Sequence, residues 1–132
     1  MVLLVEWKEA KYGVHNKLLD SQHQHLFELV NELHQATIEG SAERVTMRIL
    51  EELKHYTVTH FKDEELAMAE ARYPGLMKQQ MEHGEFIRHI NDFSRAAMAG
   101  RSEVAERLCR YLCEWLENHI ALSDRKYVEV LR

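Results

Sequence analysis

Proline occurs once in this chain and glycine only five times in 132 residues. So few chain breakers exclude a turn-rich β fold, and a 45% hydrophobic content excludes disorder. Cysteine is scarce too. The only two, Cys109 and Cys113 in "LCRYLCEW", cannot form the disulfide framework of a small secreted domain and read as reduced, half-buried thiols. No basic block stands out. Lys and Arg number 17 against 22 Asp and Glu, a formal charge of −5, so nucleic acid is not expected as a partner. No apolar run approaches the length of a membrane span. The start "MVLLVEWKEAKYG" carries Glu6 and lacks a charged leader or cleavage pattern, so a cytoplasmic location is expected. The length suits one domain over 1–132 with a real core. What the chain has in excess is histidine, nine in all.

Helical periodicity runs through four segments. They span about Leu18 to Glu39, Ala42 to Arg72, the residues after "YPG" to about Ala99, and Ser102 to near Leu122. Gly40 and Gly100 close the first and third, and Ser41 and Ser102 are candidate N-caps. The first 17 residues read as an irregular arm anchored by Trp7, and "SDRKYVEVLR" as a short helical tail. Each helix carries one apolar seam. The steps are Leu19, His23, Leu26, Val30, Leu33 and Thr37 in the first; Val45, Ile49, Leu53, Tyr56, His60, Glu64, Ala67 and Ala71 in the second. The third has Leu76, Gln79, His83, Phe86, Ile90, Phe93 and Ala97; the fourth has Ala105, Leu108, Leu112, Trp115, His119 and Leu122. Four seamed helices on short loops predict an all-α, up-down-up-down four-helix bundle.

Polar residues interrupt every seam at one end of that bundle. His23 starts the first helix, His60 and Glu64 end the second, Gln79 and His83 start the third, and His119 ends the fourth with Asp124 just beyond. Buried without partners, each would cost several kcal/mol. A lone histidine on an apolar face is more often a hydrogen-bonded core residue than a ligand. Six ionisable groups in register at one level reverse that preference. Imidazoles and carboxylates suit iron, zinc or manganese, and six ligands are too many for one tetrahedral zinc. They suit two metals with the carboxylates between them. His15, His25, His34, His55 and His89 fall off the seams or too far along them and read as structural or solvent-exposed. Within "KDEE", Lys62–Glu65, only Glu64 is expected to face inward.

Taken together, these stretches resemble the hemerythrins in their single-domain bacterial form. The likeness is carried by Trp7, Gly13–Val14, "DSQHQHLF", "YTVTHFKDEELAM", "YPGL" with "HGEF", and "WLENHIALSD". It implies a non-haem di-iron centre, two Fe ions with an oxo or hydroxo bridge, that binds O2 reversibly. Under it, His23 and His60 hold the iron with an open position, His83 and His119 hold the other, and Glu64 and Asp124 bridge them. Leu116 matches a position that lines the O2 pocket, and Trp115 is its neighbour.

The chain departs from that pattern once. The family has a histidine four residues before His83, where this sequence has Gln79. The expectation is a second iron short of one imidazole, with Gln79 either a weak ligand or a partner of water at an open coordination position. The leading function is therefore O2 binding for storage, delivery or sensing, without turnover, with small azide-like anions as further ligands. A di-iron enzyme working on peroxide or nitric oxide, favoured by an opened position at Gln79, is the alternative. A ligand-gated interaction module is a third. A ferritin-like oxidase is disfavoured: it needs two Glu-x-x-His motifs, and the one present, Glu52–His55, lies off the seam.

Overall fold

The computed structural model describes residues 3–131 and is helical throughout its regular elements. After a single turn, α1 (Glu9–Tyr12), come the four long elements α2 (Lys17–Glu39), α3 (Ala42–Glu70), α4 (Leu76–Met98) and α5 (Val104–Trp115). The chain then widens into a π-helical stretch, Leu116–Ser123, tightens into a 3₁₀ turn, Asp124–Tyr127, and ends in α6 (Val128–Leu131). The expected four-helix bundle is present. Helix α3 packs between α2 and α4, while α5 closes the bundle against both α2 and α4.

The helix ends differ in detail from the reading above. Helix α2 is capped by Asn16, whose side chain accepts from the Leu19 amide at 3.0 Å. It ends on Gly40 at φ 76°, where an L side chain would be strained. Neither Ser41 nor Ser102 caps: the Ser41 side chain accepts no capping bond, and α5 starts after Glu103, itself in the left-handed region at φ 62°. The arm is more ordered than an irregular lead-in. Trp7 stacks on Tyr12 and meets Phe27 edge-on, and the Asn31 carboxamide bonds the backbone of Leu4 and Val5.

The seams pack as expected over most of their length. Leu26, Val30, Leu33, Ile49, Leu53, Phe86, Ile90, Leu108 and Leu112 are all but inaccessible in one large core. A second, small cluster of Val14, Leu19, Met68, Tyr127 and Val128 lies beyond it. Leu19 sits one turn before His23, and Met68 one turn after Glu64. The polar layer is thus closed on both sides by apolar residues. Leu122 is the exception among the seams. It is 58% exposed, because the chain has left α-helical phase before reaching it.

Candidate metal centre

The π-helical stretch explains how the last two site residues meet. In an α-helix, residues five apart point about 140° away from each other. His119 and Asp124 are five apart, yet His119 Nε2 lies 2.9 Å from Asp124 Oδ1. The Asp124 amide donates to the His119 carbonyl, the five-residue closure of a π-helix. The wider turn brings both side chains to one face.

All seven seam interruptions are buried together. His23, Glu64 and Asp124 are wholly inaccessible, and His60, Gln79, His83 and His119 are nearly so. Glu64 stands at the centre. Its Oε2 lies 3.3 Å from His23 Nε2 and 3.5 Å from His60 Nε2, and its Oε1 lies 2.9 Å from His83 Nε2. Asp124 Oδ2 is 3.2 Å from His23 Nε2. The ligand atoms fall into two overlapping groups: His23, His60 and Glu64, and Glu64, His83, His119 and Asp124. Gln79 donates its Nε2 to Asp124 Oδ1 at 3.0 Å, and its Oε1 is buried without a partner.

Outside this layer a second set of contacts fixes three of the four rings. Nδ1–H of His60 donates to Gln22 Oε1 at 2.6 Å, that of His83 to Glu65 Oε2 at 2.7 Å, and that of His119 to Glu82 Oε1 at 2.8 Å. Gln22 is itself oriented, because its Nε2 donates to Asp63 Oδ2 at 2.8 Å. Each of these partners adjoins an inward residue of its own helix and serves the imidazole of the next. Gln22 precedes His23, Glu65 follows Glu64 and Glu82 precedes His83. Periodicity missed all three because they sit on the helix flank. Glu65 is therefore not part of a purely solvated face, as "KDEE" suggested. Tyr127 was missed as well: its hydroxyl donates to Glu64 Oε2 at 2.6 Å. Tyr56 stacks on His60 at 4.9 Å, and its buried hydroxyl has no partner.

With Nδ1 protonated and pointed outward, Nε2 is the free lone-pair donor of these three rings, aimed inward. His23, His83 and His119 Nε2, Glu64 Oε1 and Asp124 Oδ2 are all buried without a hydrogen-bond partner. Five such atoms in one layer fit a metal-ligand set, since buried polar atoms are otherwise satisfied. Electrostatics agree. Burial pulls the His23 imidazolium down, but Asp124 and Glu64 outweigh it and hold its pKa at about 9. His119 is likewise held well above its ordinary value by Asp124, Glu64 and Glu82 against the effect of burial. Burial pushes Glu64 up, yet His60, His119 and His23 keep it well below the usual carboxylate range. Burial lowers His60, keeping it neutral. A cation and a proton thus compete for the same atoms.

Trp115 lies flat on His119, ring centroids 4.0 Å apart, and also meets His83 and Phe61. Leu116 is fully buried in the large core. His15, His25 and His55 are exposed, and His34 and His89 half-buried, all outside the two ligand groups. Among the described residues no helix is long and apolar enough to cross a membrane.

Residues 14–131 match the family described as "Hemerythrin HHE cation binding domain". The bacteriohemerythrin of Methylococcus capsulatus (strain Bath) is 32% identical over 124 residues, 94% of each chain. That of Pseudomonas aeruginosa (strain PAO1) is 34% identical over all of this chain and 84% of its own length. A crystal structure of wild-type hemerythrin superposes with a TM-score of 0.87 at 31% identity, covering 97% of this chain and 98% of that one. A four-helix bundle that gathers imidazoles and carboxylates from all four helices into one buried layer, and that shares both sequence and backbone with these proteins, belongs to the hemerythrin family of metal-binding proteins.

Proposed function

We propose that this chain is a single-domain, non-haem di-iron protein that binds O2 reversibly, for storage, delivery or sensing, and works in the cytosol without turnover. The observation that carries this reading is the division of the orphaned inward atoms into two ligand groups with Glu64 in common. His23 and His60 would hold one Fe ion and His83 and His119 the other, with Glu64 and Asp124 between them. When bound, such a pair supplies two-electron, reversible chemistry toward O2, and small azide-like anions would compete for the same position.

The protein's part is to hold, orient and keep dry. Three outward hydrogen bonds fix the rings of His60, His83 and His119, so that little reorganisation is needed on loading. The Tyr127 hydroxyl anchors one oxygen of Glu64 and leaves the other unpartnered. Leu116 and Trp115, with Phe61 stacked on His83 at 3.8 Å, exclude water from above, and Leu19, Met68 and Val128 do so from below. A dry, apolar surround lets a small neutral ligand enter while disfavouring release of charged products.

A second reading, peroxide or nitric oxide chemistry with turnover, is favoured by one observation: Gln79 Oε1 is buried, unpartnered and adjacent to Asp124. Absorption spectra of the reduced protein before and after air, with iron counted per chain, separate the two. Bands that appear in air and vanish on deoxygenation support O2 binding. Irreversible oxidation with consumption of peroxide or nitric oxide supports the enzyme and sinks the carrier.

A further inference from the structure

The outer nitrogens of the four imidazoles are held unequally. His23 Nδ1 has no hydrogen-bond partner, and His60 Nδ1 meets a neutral carboxamide, that of Gln22. His83 and His119 instead each meet a carboxylate, Glu65 at 2.7 Å and Glu82 at 2.8 Å. Both carboxylates are themselves positioned. Gln80 Nε2 donates to Glu65 Oε1 at 3.3 Å, and the Ser123 hydroxyl donates to Glu82 Oε1 at 2.9 Å. Their side chains are 28% and 26% exposed, so water shares the cost of holding charge there. The two anions lie in the half of the site that contains Gln79, where the family pattern would supply another imidazole.

A hydrogen bond from Nδ1–H to a carboxylate is stronger than one to an amide, and it shifts electron density onto Nε2. The ring becomes a better metal donor. We propose that Glu65 and Glu82 are positioning residues that make His83 and His119 stronger donors than His23 and His60, and so offset the imidazole that Gln79 withholds from their metal. The inference rests on the metal reading given above, but not on O2 as the ligand.

The test is E65Q/E82Q, alone and combined with Q79H. Glutamine keeps the shape and a carbonyl acceptor but removes the charge, so a role in packing alone would survive it. Purified chains would be titrated with Zn(II) against a chelator of known affinity, and the melting temperature of the metal-free form recorded alongside. The expected result is that E65Q/E82Q weakens one of two sites roughly 10- to 100-fold, leaves the other unchanged and does not shift the metal-free melting temperature. Adding Q79H should restore the weakened site, which identifies it as the half held by His83 and His119. Q22E should tighten the opposite site. Equal retention of both metals in wild type and E65Q/E82Q would overturn the inference, as would equal loss of both. A wild-type chain that takes up no Zn(II) or Fe(II) at all would instead sink the metal reading itself.

Discussion

The carboxamide of Gln79, on α4, donates to Asp124 Oδ1 across 3.0 Å, and Asp124 stands where the π-helical stretch ends. The glutamine therefore orients a carboxylate that also faces His23 and His119. Q79H exchanges that hydrogen bond for an imidazole. The expected outcome is tighter metal retention, by roughly tenfold or more, and slower decay of the oxygenated spectrum. Iron per chain after chelator challenge and the autoxidation rate measure the two effects. If neither changes, Gln79 is a bystander.

Glu64 is the residue whose loss should be felt most. It is fully buried among His23, His60, His83 and Tyr127. E64A leaves the imidazoles without their shared counter-charge and the Tyr127 hydroxyl without its acceptor. Breaking a buried pair in this way costs about 3–5 kcal/mol, so even the metal-free protein should melt earlier. H60A should lower metal content with a smaller change in metal-free stability. Chelation of the wild-type protein should lower its melting temperature, since a ligand at 1,000 times its Kd adds about 4 kcal/mol. An unchanged melting curve after chelation would count against metal at this site.

The π-helical stretch makes a register prediction. Inserting one alanine after Ala121 would place His119 and Asp124 six apart and turn Asp124 by about 100° relative to His119. Far-ultraviolet circular dichroism should remain helical while one metal per chain is lost. Full metal loading in the insertion variant would mean that the register of the wide turn is not what brings His119 and Asp124 together.

The cysteines give a prediction about reactivity. Burial raises the Cys109 thiol to about 12, and Cys113 is raised for the same reason. Both favour the neutral thiol in the folded state, so any stability they contribute is present below their ordinary pKa near 9 and is lost as pH rises through the folded value. Alkylation of the native protein by iodoacetamide at pH 8 should be slow and should accelerate toward pH 12 for Cys109, whereas the denatured chain reacts at once. Rapid labelling of native Cys109 at neutral pH would contradict the burial that raises it.

Much of the centre was legible because helical periodicity converts spacing into direction. His60 and Glu64, four apart, must share a face, as must Gln79 and His83, and antiparallel helices must bring those ends to one level. The scarcity of proline and glycine and the four seams determined the bundle and the seven residues of its polar layer. Tertiary structure alone decided the rest. Glu65 and Glu82 look like surface acids in the sequence, because the contact that matters runs sideways to a neighbouring helix. The helix four seam breaks phase at Leu116, leaving Leu122 in solvent and drawing Asp124 inward, because the wider turn re-aims the side chains that follow it. Tyr127 reaches Glu64 only because the 3₁₀ turn folds the tail back over the layer. Local spacing fixes which way a side chain leaves its own helix; which atom it meets depends on how the helices are rotated and packed against one another.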